Sequence, residues 1–166
     1  MNLCITINLI FNLLFTNIVP SNDVRHIIRN ETDMQYLNEI VKEGLLELGI
    51  GNVRVDIRHM NKRTKWIVES RTEQILDAYI KGNNSRYVIY IARFPKSKST
   101  EIISHELIHL KQYYEKSLKI TYDSVMYNGK LYRNPRYIDY RDRPWEQEAY
   151  LDGKKLKVLI KNRMEL

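Results

Sequence analysis

The chain has 166 residues, 43% of them hydrophobic and 28% charged, which describes one globular domain able to bury a core, with no repeat or low-complexity tract. A single cysteine, Cys4, excludes an internal disulfide framework and any cysteine-based zinc site, so a bound zinc must be held by histidine and carboxylate. The net charge of +7 favours acidic surfaces, but Lys and Arg are dispersed without a run of five or six, the pattern of a basic soluble surface.

Residues 1–22 carry no charged side chain, and 3–19 are largely apolar before Pro20-Ser21-Asn22-Asp23 breaks the pattern. Two readings stand side by side. A signal peptide over 1–20 implies secretion; a structured N-terminus, favoured by the interruptions at Asn8, Asn12 and Asn17 and the lack of a preceding Lys or Arg, implies a cytoplasmic protein. The stretch is too polar for a stable membrane span. Residues 23–166 are expected to form the single folded domain.

Residues 31–48 read as an amphipathic helix, with Met34, Leu37, Ile40, Val41, Leu45 and Leu48 at helical spacing and Gly49 and Gly51 as stops. The period then changes to two. Val53, Val55 and Ile57 alternate with Arg54, Asp56 and Arg58, which predicts a half-buried strand. Further strands are expected at 65–70, 74–80 and 86–93 (RYVIYIAR), with a turn at 81–85. His26 and His59 read as surface or structural histidines.

After Pro95, Ser97, Ser99 and Thr100 are candidate N-caps of a helix whose apolar stripe is Ile103, Leu107, Leu110 and Tyr114. This helix contains His105-Glu106-Leu107-Ile108-His109, an HExxH motif. Residues four apart on a helix lie one turn above each other, so both imidazoles serve one point. Zinc suits that point: it binds imidazole nitrogen at about 2.0–2.1 Å, and a catalytic site uses three protein ligands and a water. Glu106, about 100° around the helix, can reach that water without ligating the metal, as a general base.

The remainder is Tyr-rich, at Tyr122, Tyr127, Tyr132, Tyr137 and Tyr140, and Asn128-Gly129 between strand-like runs predicts a hairpin. These tyrosines read as packing and surface residues, although a hydroxyl among them could polarise a substrate carbonyl opposite the zinc. Tyr113, Tyr122, Tyr127 and several arginines are open candidates for that role. A last helix starts at Pro144 and runs through Trp145, Ala149, Leu156 and Ile160. It offers two carboxylates as third ligand, Glu146 and Glu148, about 200° apart around the helix so that only one can face the metal.

With HELIHLKQ (105–112) and EQEA (146–149), the chain resembles the gluzincins, zinc metallopeptidases with HExxH on one helix and a downstream glutamate on another. The resemblance implies a zincin-like α+β fold: an N-terminal helix, a small, mostly antiparallel twisted sheet, the HExxH helix, a Tyr-rich hairpin and a C-terminal helix carrying the third ligand. Small gluzincins often show E-x-x-A followed by an acid or amide. That pattern makes Glu146 the ligand, although Tyr150 stands where the acid or amide is expected. Thermolysin-like enzymes show E-A-x-x-D, which matches Glu148 to Asp152 and would make Asp152 the partner of a ligating histidine. The sequence leaves both open, with Glu146 preferred.

The function expected is hydrolysis of peptide bonds in a peptide or protein substrate, with Zn2+ held by His105, His109 and the glutamate and Glu106 as the base. The strand at 86–93 is where the resemblance places an extended peptide by strand addition. The reading from another class is a basic binding module, for nucleic acid, in which the HExxH helix is structural or inactive.

Overall fold

The computed structural model describes residues 31–60, 77–83, 85–92, 96–121 and 123–165. The N-terminal segment 1–22, His26, the expected strand at 65–70, Pro95 and Tyr122 lie outside them. The described residues form an α+β fold with helices α1 (Glu31–Glu47), α2 (Ser99–Tyr114) and α3 (Pro144–Arg163). Its strands are β1 (Arg54–His59), β2 (Ala78–Asn83), β3 (Arg86–Ile91), β4 (Leu118–Ile120), β5 (Ser124–Tyr127) and β6 (Lys130–Arg133). No helix among these residues is long and apolar enough to cross a membrane.

α1 ends where the sequence predicts. Gly49 takes φ +66° and Ile50 N–H returns to the Leu45 carbonyl at 3.0 Å, a left-handed glycine closure that satisfies the last carbonyls of the helix. The period of two expected at 53–58 is kept in part: in β1 Ile57 is buried between the exposed Arg58 and the half-buried Asp56, but Val55 is no more buried than Asp56, which Arg54 and Arg86 hold as an ion pair. In β3, Tyr87, Ile89 and Ile91 are almost fully buried, while Arg86 is exposed and Val88 and Tyr90 are half-buried. With Ile57 and Ile80 from the flanking strands they make a wall against which α1 and α2 pack Ile40, Ile103 and Leu107.

The described residues form two three-stranded sheets: the expected sheet, and a second made where β4 joins the expected hairpin. In the first, β3 is central, parallel to β1 and antiparallel to β2, so that Ile89 faces both Ile57 and Ile80. This overturns the expectation that a peptide adds to β3: both of its sides are already hydrogen-bonded, and among the described residues the edges are β1 and β2. β2 also runs further than predicted, taking Lys81, Gly82 and Asn83 out of the expected turn. The reason lies at Gly82, where a Cβ would stand 2.3 Å from the Arg86 carbonyl oxygen and 2.6 Å from Tyr87 Cα. This glycine permits close strand approach instead of marking a turn.

The second sheet, β4-β5-β6, is antiparallel. Its hairpin turns at Asn128 (φ +48°) and Gly129 (φ +77°), the two left-handed residues that match the twist of paired strands. Leu118, Val125 and Tyr127 pack with Trp145 of α3 into a small core of their own. α2 departs from expectation at both ends. Its N-cap is Lys98, with no side-chain cap bond, and Ser99 and Thr100 are instead buried within the first turn. At the other end Tyr114 is exposed, and it is Tyr113 that packs against the core.

α2 and α3 share the most extensive helix contact. Ser104, Ala149 and Gly153, all small, stand where they meet, and a Cβ on Gly153 would lie 3.2 Å from His105 Cα and 3.3 Å from His105 N. Backbone cannot yield there without separating the helices. Gly153→Val is expected to lower stability by about 1–3 kcal/mol, the usual range for overpacking, as read from urea unfolding midpoints; an unchanged midpoint would contradict this close packing.

Candidate metal centre

The close contact of α2 and α3 brings the HExxH face of one helix against the first turn of the other. His105 and His109, one turn apart on α2, meet edge to face with ring centroids 4.8 Å apart. Glu146 of α3 places Oε2 at 3.4 Å from His105 Nε2 and 3.2 Å from His109 Nε2. Among the described residues this is the one group of three such side chains close enough to share a metal ion. A tetrahedral ion bound at 2.0–2.1 Å separates its donor atoms by about 3.3–3.4 Å, close to the spacing Glu146 keeps to both rings. Two imidazole nitrogens and a carboxylate oxygen also fit zinc by donor chemistry.

Glu148, the alternative third ligand, faces elsewhere. It accepts hydrogen bonds from Gln112 Nε2 at 3.2 Å and from the Tyr127 hydroxyl. Asp152, the histidine partner under that alternative, pairs instead with Lys155 at 2.7 Å. The rotation of α3 decides between the two glutamates. Trp145, Ala149, Gly153, Leu156 and Ile160 are its buried residues, and Glu146 lies about 60° from the middle of that stripe while Glu148 lies about 100° from it on the other side.

Glu106 is 5% exposed, and its Oε2 has no hydrogen-bond partner among the described residues. Burial raises its pKa, opposed by the nearby His109 and His105, reinforced by Glu146, and opposed again by the Ile80 amide it accepts from; the net direction is up. A buried acceptor lacking a partner is costly, and a water on the metal between the two histidines would supply one. Glu146 goes the opposite way. Burial would raise it, but hydrogen bonds from His105 and His109 hold it well below the usual carboxylate range. For His109, burial acts to lower the pKa, yet the bond to Glu146 prevails and takes it to about 9 in the metal-free chain.

Two neighbours were not singled out by sequence. Gln112, 1% exposed, has Oε1 at 2.8 Å from His109 Nδ1 and donates Nε2–H to the Trp145 carbonyl at 3.0 Å. Its spacing was a usable signal, since residue 112 follows His109 by three and His105 by seven, on the same helix face. Tyr140, grouped with the packing tyrosines, sits in a 3-10 turn before α3 with its hydroxyl 3.4 Å from His105 Nε2 and hydrogen-bonded to Glu146. Burial first, and Glu146 second, push its pKa upward, so the hydroxyl stays protonated. Of the other tyrosines, Tyr127 and Tyr132 pack on Trp145, with centroids 6.2 and 5.5 Å away, and Tyr137 is 79% exposed.

No protein-family model matches the chain, and neither a curated protein nor a solved structure matches it.

The electrostatics predict a pH dependence. His109 is raised from 6.5 to about 9, so without metal its pairing with Glu146 contributes stability that is fully present below pH 6.5 and lost as pH rises through 9. Urea midpoints measured in chelator across that window should fall for the wild type and stay flat for His109→Gln. A wild type that stays flat as well would show that the pair does not form.

Proposed function

We propose that this protein is a zinc-dependent metallopeptidase of the gluzincin kind, with His105, His109 and Glu146 as metal ligands and Glu106 as general base. The observation that carries the reading is the approach of Glu146 Oε2 to both histidine Nε2 atoms at near-tetrahedral spacing, beside a buried carboxylate with one oxygen unpartnered among the described residues. Zinc bound there supplies a Lewis acid that acidifies a water and polarises the scissile carbonyl. Glu106, raised by burial, accepts the proton of the attacking water and passes it to the leaving amine. Tyr140 donates its hydroxyl proton in a hydrogen bond to the carbonyl oxygen as negative charge develops there.

The substrate strand is assigned to β2 in place of β3. β2 is an edge strand among the described residues and lies against α2. Ile80, opposite Ile89 in the ladder, turns its N–H away from β3 toward Glu106, so Ala78 and Gly82 present their backbone groups on the same side. An extended peptide pairing there is delivered to the base, which is strand addition.

Elemental analysis should find about one zinc per chain, lost in Glu146→Ala; Glu148→Ala, which keeps all three ligands, should retain zinc but hold it less tightly. Glu106→Gln should keep the zinc and reduce hydrolysis of a mixture of unstructured peptides by about 10²–10⁴-fold. Retained hydrolysis in that variant would remove the proposed base, and a wild type without zinc would remove the reading itself. Tyr140→Phe is expected to lower kcat by about 10²–10³-fold with little change in KM. A full kcat would return Tyr140 to a packing role.

A further inference from the structure

We propose that Gln112 is a positioning residue that locks His109 in the tautomer whose Nε2 lone pair faces the metal position, and that Glu148 and Tyr127 hold the Gln112 amide the right way round; the proposal rests on the zinc reading above.

A glutamine amide can be turned over, exchanging its donor and acceptor ends, unless its surroundings forbid it. Here they do. The atoms around Gln112 Nε2 are the Trp145 carbonyl oxygen at 3.0 Å and Glu148 Oε2 at 3.2 Å, and both can only accept. Turned over, the amide would set its oxygen against two other acceptors in a site where Gln112 is only 1% exposed. Glu148 is itself fixed, since Oε2 also accepts from the Tyr127 hydroxyl on β5.

The orientation has a consequence for the imidazole. With Nε2 of Gln112 committed, the atom 2.8 Å from His109 Nδ1 is Oε1, an acceptor, so Nδ1 carries a proton. A neutral imidazole holds only one, and Nε2 is left with its lone pair. Without Gln112 the Glu146 carboxylate, 3.2 Å from Nε2, would favour the other tautomer, in which the proton occupies the lone pair a metal needs. The hairpin sheet thereby reaches the metal position through four side chains: Tyr127, Glu148, Gln112 and His109.

The test is zinc affinity of the full chain with urea stability recorded beside it. Gln112→Leu should weaken zinc binding about 10–100-fold, the usual cost of losing a partner of a ligating histidine. Gln112→Glu keeps an acceptor at Nδ1 but sets a second carboxylate against Glu148. It should lose stability while holding zinc within a few-fold of wild type. A structural role alone would make affinity follow stability in both variants, and that result would overturn the proposal. ¹⁵N NMR of zinc-free wild type at alkaline pH, which needs no variant to fold, should show His109 protonated at Nδ1; protonation at Nε2 would overturn it as well. Nδ1–H in a wild type that binds no zinc would refute the metallopeptidase reading and support the tautomer lock.

Discussion

The close approach of α2 and α3 is the constraint on which the rest of the molecule depends. Two helices carrying ordinary core side chains stand 8–10 Å apart, and smaller residues at the crossing bring them nearer. Ser104, Ala149 and Gly153 are those residues, and at Gly153 even one carbon would touch the backbone of His105. Imidazole and carboxylate have fixed reach. The interhelix distance therefore decides whether Glu146 meets both Nε2 atoms or neither. Gly44 repeats the device on α1, where a Cβ would stand 2.4 Å from Leu107 Cδ1 and 3.1 Å from Ile160 Cδ1. Both other helices, α1 and α3, are seated against the HExxH helix by what is absent from their side chains.

Seating them so closely takes charge out of water. Glu106, His109 and Glu146 are together in a region where an unpaired ion costs several kcal/mol, against a total stability of only about 5–15 kcal/mol for a typical domain. The metal-free chain offsets this with a proton on His109 facing the anionic Glu146. A divalent cation at the same point would satisfy both rings and the carboxylate at once. Proton and metal then compete for one lone pair, and the neutral imidazole that a metal requires is the form in which Gln112 decides which nitrogen is free.

What could be read from the sequence followed from local periodicity. The 3.6-residue stripe located α1, α2 and α3, the β-branched and aromatic run at 86–93 located β3, and Asn128-Gly129 located the hairpin, because each depends on residues within one element. Expectations failed where a distant element decides. That β3 lies between β1 and β2 depends on pairings across the chain, and Gly82 looked like a turn residue because the strand crowding it cannot be seen from its neighbours. The choice of Glu146 over Glu148 lay between these cases. Two glutamates two residues apart are equivalent until the helix rotation is known, and the buried stripe that fixes the rotation was itself in the sequence, with Gly153 its overlooked member.

The two carboxylates nearest the histidines are pushed in opposite directions by their surroundings. Glu146 sits between two imidazoles, accepts from Tyr140, and is held ionised far below its ordinary range, as a permanent anion suited to holding a cation. Glu106, one residue from His105 on the same helix, is more deeply buried, receives the Ile80 amide, has an oxygen without a partner among the described residues, and is shifted upward by burial. A pair of acids pushed apart by their surroundings is how one site divides ligation from proton transfer. The HExxH spacing alone names Glu106 as a candidate base. The burial of its carboxylate, and the contrast with Glu146 across the same histidines, supply the physical reason why it would act as one.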